Sequence, residues 1–224
     1  MLAPIGGRPL IQHVYERLVQ ASSVDEVLVA TDSVEVDEAV SSFGGRALIV
    51  TEPCATGSDR VAAAVRDVAA DVVVNLQADQ PMIHPEDIDR TVGALERDAE
   101  AELSTLAFGA DDEEGYRSSD VVKVVVGRGG RALYFSRAPV LHISESAGLS
   151  PLYLHHVGIY CFRRAALDRF ASFPRGTLEL RESLEQLRAI ENGMTVGLVL
   201  TERRTQSVDR PKDAAEVERR MSAL

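Results

Sequence analysis

The run Asp71-Val72-Val73-Val74-Asn75-Leu76 constrains the fold more than any other stretch of the chain. It is short and almost continuously apolar, the pattern of a strand covered on both faces, as in a parallel sheet flanked by helices. The surrounding sequence supplies such helices. Leu10, Ile11, Val14 and Leu18 recur at helical spacing, with Gln12, Glu16 and Arg17 off that face. Residues 26–31 read as a buried strand, 34–43 as a helix stopped at Gly44-Gly45, 47–50 as a short strand and 59–70 as a helix. Pro85 sits where a first helical turn tolerates it, opening a helix over 85–97. Helix and strand in alternation predict an α/β, three-layer, mainly parallel sheet.

The second half is less regular. Residues 103–108, 121–126, 132–135, 156–162 and 195–200 read as strands, with Gly127, Gly129 and Gly130 marking a tight connection. Residues 142–150 read as a mobile loop, 178–192 as one strong helix ending at Gly193, and 211–221 as a closing helix behind Pro211. No repeat or long linker divides the 224 residues, so they are read as a single domain, 1–224.

Composition narrows the function. Apolar residues make up 45%, enough for a full core. No apolar run approaches the ~18 residues of a membrane span, and the N-terminus has no basic head of a signal peptide. A soluble cytoplasmic protein is expected. A net charge of −11 argues against a general nucleic-acid surface, which needs massed Lys and Arg. It leaves room for a small anionic ligand in a pocket with a few cations. Cys54 and Cys161 show neither a Cys-x-x-Cys nor a zinc spacing and are read as reduced thiols.

In sheets of this kind ligands bind beyond the carboxyl ends of strands. Five segments merit inspection. Gln77-Ala78-Asp79-Gln80-Pro81-Met82-Ile83 follows the 71–76 strand, where a carboxylate can meet a metal and phosphate oxygens; an Asp bracing the turn before Pro81 is the plainer reading. Ser207-Val208-Asp209-Arg210-Pro211 offers a second carboxylate, or an ordinary helix cap. Thr56-Gly57-Ser58-Asp59-Arg60 is a glycine-bearing turn into a helix, suited to an anion or a base edge, or simply a capped start. Tyr134-Phe135-Ser136-Arg137 ends a strand on a guanidinium that fits a carboxylate ligand or a surface ion pair. His156 and Tyr160 share a strand face by the period of two, and Glu182, Glu185 and Gln186 share a helix face if 178–192 is helical. Both sets are equally compatible with a half-buried sheet face and a solvated helix.

Taken in order, these segments resemble the 3-deoxy-manno-octulosonate cytidylyltransferases, or CMP-Kdo synthetases. The resemblance is carried also by Ala30-Thr31-Asp32, Val122-Lys123-Val124-Val125, His156-Val157-Gly158-Ile159-Tyr160, Leu184-Glu185-Gln186-Leu187-Arg188 and Val208-Asp209-Arg210-Pro211, and runs from about Pro4 to the C-terminus. It implies a glycosyltransferase-A-like nucleotidyltransferase fold, a homodimer, and the reaction of CTP with Kdo to CMP-Kdo and pyrophosphate, feeding lipopolysaccharide biosynthesis. It implies that Asp79 and Asp209 are catalytic and hold magnesium (Mg2+). It further implies that Gln77, Ser136, Arg137, His156, Tyr160, Glu185 and Gln186 line the Kdo site, and that Thr56, Gly57, Ser58 and Arg60 hold the cytidine. A transferase for another acidic sugar, or an inactive dimeric binding homologue, are the rival readings.

Two departures stand out. The family's Gly-Asp-Glu-Pro is here Ala78-Asp79-Gln80-Pro81, one negative charge fewer near the metal, and Cys54 stands where the family often has His. Such families also open with a strand and a loop rich in Ala, Arg, Ser, Gly and Lys that wraps the triphosphate. This chain starts just past that point, at Met1-Leu2-Ala3-Pro4, and is read as N-terminally truncated relative to the family. Arg60, Arg137 and Lys123 are then the candidate pocket cations, and weak CTP binding is expected.

Overall fold

The computed structural model describes residues 1–141 and 150–222. The elements run β1 (Pro4–Ile5), β2 (Arg8–Pro9), α1 (Leu10–Val19), β3 (Val29–Thr31), α2 (Val34–Ser42), β4 (Ala47–Ile49), α3 (Gly57–Ala64), β5 (Val72–Leu76) and α4 (Pro85–Arg97). They continue with β6 (Leu103–Ala110), α5 (Glu113–Arg117), β7 (Lys123–Val126), β8 (Ala132–Ser136), β9 (Tyr153–Arg163), α6 (Arg164–Ser172), α7 (Thr177–Glu182), α8 (Leu187–Glu191), β10 (Val196–Thr201) and α9 (Pro211–Met221). Of the loop expected over 142–150, residues 142–149 lie outside the described residues. No helix among the described residues is long and apolar enough to cross a membrane.

Two compact units emerge. The first comprises Met1–Ala70, Asn75–Asp89 and Thr205–Leu224. Its opening ribbon, β1 paired antiparallel with β2, was not expected from the sequence. The two-residue turn between them needs positive φ at both positions, and Gly6 and Gly7 provide it at 56° and 75°. The apolar face of α1 divides its contacts. Leu10 packs with Ile5 and Val217, Ile11 with Val29, Val36 and Val40. Ser33 caps α2 by accepting from the Val36 N–H at 3.2 Å, and Gly44, at φ 80°, lies just beyond that helix's end. β3 and β4 pair in parallel.

The second unit comprises Asp71–Val74 and Arg90–Arg204. Its sheet runs β10-β6-β9-β7-β8, with β5 pairing β9. β6 is buried at every position but Gly109, lying between β10, parallel to it, and β9, antiparallel. Strand direction is therefore more mixed than the sequence suggests: β6–β9, β7–β9 and β7–β8 are all antiparallel. The reason is local. A parallel step needs a crossover of a dozen or more residues, and β7 and β8 are joined by the short Gly127 to Arg131 turn, with Gly129 and Gly130 at φ 82° and 75°.

A second difference is at 178–192. Instead of one helix there are two short ones, α7 and α8, broken at Ser183, which takes φ 53° and ψ 46°. Glu182 therefore does not share a helix face with Glu185 and Gln186. The cause is a buried ion pair: Arg188 and Glu179 bond twice at 2.8 Å, 1% and 0% exposed. They lie nine residues apart, half a turn out of phase on a continuous helix, so the chain must bend for them to meet.

Candidate active site

In the first unit the strand end at Leu76 runs into a turn closed by the Gln80 N–H on the Gln77 carbonyl at 3.2 Å. Gln77 is half-buried there and Gln80 fully buried. The Val208 N–H donates to the Asp79 carbonyl at 2.9 Å, which draws the 207–209 segment onto this turn across more than a hundred residues of sequence. The two carboxylates feel each other as a result. Burial, and then the Asp209 charge, push the Asp79 carboxyl up to about 6, against the pull of Gln80 and its own backbone. One of its oxygens, Oδ1, is buried without a hydrogen-bond partner.

Asp209 is not the cap that its place before Pro211 suggests. The N-cap residue of α9 is Arg210, and the Asp213 carboxylate accepts from the Arg210 and Asp209 N–H groups at 2.8 and 3.2 Å. The Asp209 carboxylate instead accepts from Ser207 Oγ at 2.6 Å and stays exposed. An orphaned carboxylate oxygen beside a second carboxylate is chemistry that could hold a cation. Among the described residues no three His, Cys, Asp or Glu side chains form a metal cage. Two carboxylates suit magnesium, which completes its shell with water and substrate phosphate.

The Thr56–Arg60 turn has structural duties of its own. Thr56 caps α3 by accepting from the Asp59 N–H at 3.3 Å, Gly57 opens the helix, and Ser58, 1% exposed, accepts from Asn75 Nδ2 at 3.0 Å. Arg60 pairs with Asp32 at 2.7 Å.

In the second unit Arg137 leaves the end of β8. Its Nε donates to the Glu182 carbonyl and its Nη1 to the Ser119 carbonyl, both at 3.0 Å. Main-chain carbonyls fix a guanidinium without cancelling its charge, so the surface ion pair is not the arrangement found. Glu182, read from sequence as sharing a helix face with Glu185 and Gln186, is the hub of this corner. Its carboxylate accepts from Ser136 Oγ at 2.8 Å, Tyr134 OH at 3.2 Å and the Arg137 N–H at 2.9 Å. Burial pushes its carboxyl up, but those hydrogen bonds and the Arg137 charge outweigh it and hold it below the ordinary range. The spacing in the sequence groups Glu182 with Glu185 and Gln186; its place at Ser136 and Arg137 follows from the turn at Ser183, a tertiary effect.

His156 and Tyr160 share a face of β9, as the period of two requires, with ring centroids 5.5 Å apart; Phe135 meets His156 edge-on at 5.0 Å. Gln186 is buried at the start of α8 and Glu185, just before it, is half-buried. Lys123 is no pocket cation. It is fully buried, and its Nζ donates to the carbonyls of Ser118, Val121 and Arg137 at 2.8, 2.7 and 2.6 Å. An ammonium has three donors, so all are used. Lys123→Met would strand those carbonyls, and a loss of about 2 kcal/mol is expected, read as a lower melting temperature. An unchanged melt would show that the three bonds contribute nothing.

The cytidylyltransferase family model matches residues 1–196. A 3-deoxy-manno-octulosonate cytidylyltransferase of Syntrophobacter fumaroxidans is 42% identical over 219 residues, spanning 96% of this chain and 88% of the relative. One from an Anaeromyxobacter species is 48% identical over 214 residues, 95% of this chain and 86% of the relative. The chain belongs to the 3-deoxy-manno-octulosonate cytidylyltransferase family.

A solved family member, a CMP:2-keto-3-deoxy-manno-octonic acid synthetase complexed with CTP, superposes with a TM-score of 0.90 at 37% identity, over 99% of this chain and 91% of the other. A 4-diphosphocytidyl-2C-methyl-D-erythritol synthase, 16% identical with a TM-score of 0.64 over 98% and 92% of the two chains, shares the fold alone. The glycosyltransferase-A-like nucleotidyltransferase fold implied by the sequence is the fold of this family, with the mixed strand directions described above.

Proposed function

We propose that the protein transfers CMP from CTP to 3-deoxy-D-manno-octulosonate, giving CMP-Kdo and pyrophosphate. The observation that carries this reading is the Asp79–Asp209 pair, with its orphaned buried oxygen and its raised Asp79 pKa. The names of the relatives support the choice of sugar and nucleotide. They favour Kdo over another acidic sugar and an active transferase over an inert binding homologue.

Asp79 and Asp209 would hold magnesium, which, when bound, acidifies the attacking sugar hydroxyl and offsets charge growing on the α-phosphate. The protein's own groups then bind and orient. Arg137, held by two carbonyls, offers the rest of its planar guanidinium to the sugar carboxylate. His156, Tyr160, Glu185 and Gln186 would meet the sugar's hydroxyls, with Ser136 behind Arg137 and Gln77 at the strand end beside Asp79. Thr56, Gly57, Ser58 and Arg60 would take the cytidine, Arg60 exchanging its Asp32 contact for the ligand. Catalysis on this account is positioning and electrostatics. A homodimer, a cytoplasmic location and supply of CMP-Kdo for lipopolysaccharide follow from the same reading.

Pyrophosphate release from CTP is expected only with Kdo and magnesium together. Equal release with sialic acid, or with no sugar, would remove the Kdo assignment.

A further inference from the structure

Thr105 lies fully buried in the middle of β6. Opposite it the ladder to β9 breaks register: Thr105 pairs with Tyr160 but Leu106 pairs with Val157. Two residues of β9, Gly158 and Ile159, thus stand between consecutive residues of β6. A bulge of this kind leaves backbone groups without ladder partners. Thr105 Oγ1 takes one of them, donating to the Ile159 carbonyl at 2.6 Å. The same oxygen lies 2.9 Å from His156 Nε2.

A hydroxyl has one proton. A carbonyl can only accept, so the proton points to Ile159, and the Thr105 oxygen can only accept from the imidazole. Nε2 must therefore carry a hydrogen. Burial, with His155 adding to it, pushes the His156 pKa down to about 3, so the ring is neutral at ordinary pH and its second nitrogen, Nδ1, is unprotonated.

We propose that Thr105 is a positioning residue for the sugar site: its single proton, committed to the bulged Ile159 carbonyl, fixes His156 as the Nε2–H tautomer and makes Nδ1 an acceptor for a hydroxyl of a polyhydroxylated acid. The proposal rests on the reading of the second unit as the sugar-binding side. It divides the chemistry of recognition. The guanidinium of Arg137 takes the anionic end of the substrate, and His156 Nδ1 accepts a hydrogen bond from a hydroxyl. An acceptor nitrogen would repel a carboxylate, so the tautomer also opposes binding in the reversed orientation.

The test is nitrogen-15 NMR of the histidine rings, with His156 assigned by its loss in His156→Gln, alongside steady-state kinetics. The wild type is expected to show His156 protonated at Nε2 only. Thr105→Val keeps the shape and removes the hydroxyl; it should populate the Nδ1–H form and raise KM for Kdo about tenfold, the loss of one hydrogen bond, with KM for CTP unchanged. Thr105→Ser should restore both. A wild-type ring protonated at Nδ1 overturns the proposal without any variant. So does a Thr105→Val protein with wild-type tautomer and wild-type KM for Kdo. Absence of Kdo-dependent turnover in the wild type would count against the functional reading instead, while the spectra would still decide the tautomer.

Discussion

Asp79→Asn is expected to remove magnesium-dependent pyrophosphate release while leaving the fold intact. The substitution is nearly isosteric and sits in a turn held by main-chain bonds, Gln80 N–H to Gln77 and Val208 N–H to Asp79. What it deletes is a charge. A metal seat contributes several kcal/mol to such a transfer, so a fall in turnover on the order of a thousandfold follows. Stability should move the other way. Asp79 is raised from 3.8 to about 6, so its contribution to folding is fully present below the lower value and is lost as pH rises through the upper one. Above pH 6 without magnesium the wild type carries two neighbouring charges, one with an orphaned oxygen. The Asn variant carries one, and should melt at the same or a higher temperature. Added magnesium should raise the wild-type melt above about pH 6, less below it, and the variant's hardly at all. Asp209→Asn should cost turnover too, with no loss of helix capping, since Asp213 does that work. Wild-type rates for either variant at limiting magnesium would take that residue out of the metal role.

Glu179→Ala should produce the largest loss of stability. It removes both 2.8 Å bonds by which Glu179 holds the Arg188 guanidinium, which is 1% exposed and lies 4.5 Å over the Phe170 ring. Arg175 also reaches Glu179, at 2.9 Å. Breaking one side of a buried pair costs about 3–5 kcal/mol, or about 10 °C in melting temperature for a chain of this size. Burial pushes the Glu179 carboxyl up, but Arg188 and Arg175 outweigh it and hold it below 4.5. The pair's contribution is therefore present above pH 4.5 and lost as pH falls through the lowered value, so the deficit of the variant should shrink in acid. Replacing both partners, Glu179→Leu with Arg188→Met, should recover most of the melt, because the one charge that loses its partner, Arg175, is 39% exposed and can be hydrated. A double variant as unstable as the single one would mean that the bend at Ser183, rather than the buried charge, sets the cost.

The regular parts of the fold were legible because each is written in local chemistry. The proline-led helices α4 and α9 fall where expected, at Pro85–Arg97 and Pro211–Met221. The apolar run at Val72–Leu76 forms its strand, and the glycines after β7 make their turn. The 178–192 segment misled because its helical periodicity is real at each end. The break between α7 and α8 follows from Glu179 and Arg188 seeking each other in the core, which no window of propensity contains.

The site divides along the same line. The sequence by itself determined the family, the strand-end places of Asp79 and Arg137, and the alternation that sets His156 and Tyr160 on one face, since each depends on residue type and short-range period. Only the tertiary structure decided that Asp213 relieves Asp209 of capping, that Lys123 is spent on three carbonyls, that Glu182 anchors Ser136 and Arg137, and that Thr105 holds the His156 proton. In every one of these the deciding partner is a hydrogen-bonding group, buried at Lys123, Thr105 and His156 and partly buried at Glu182 and Asp213. Away from water such groups must be satisfied, and which neighbour satisfies them is set by packing in three dimensions.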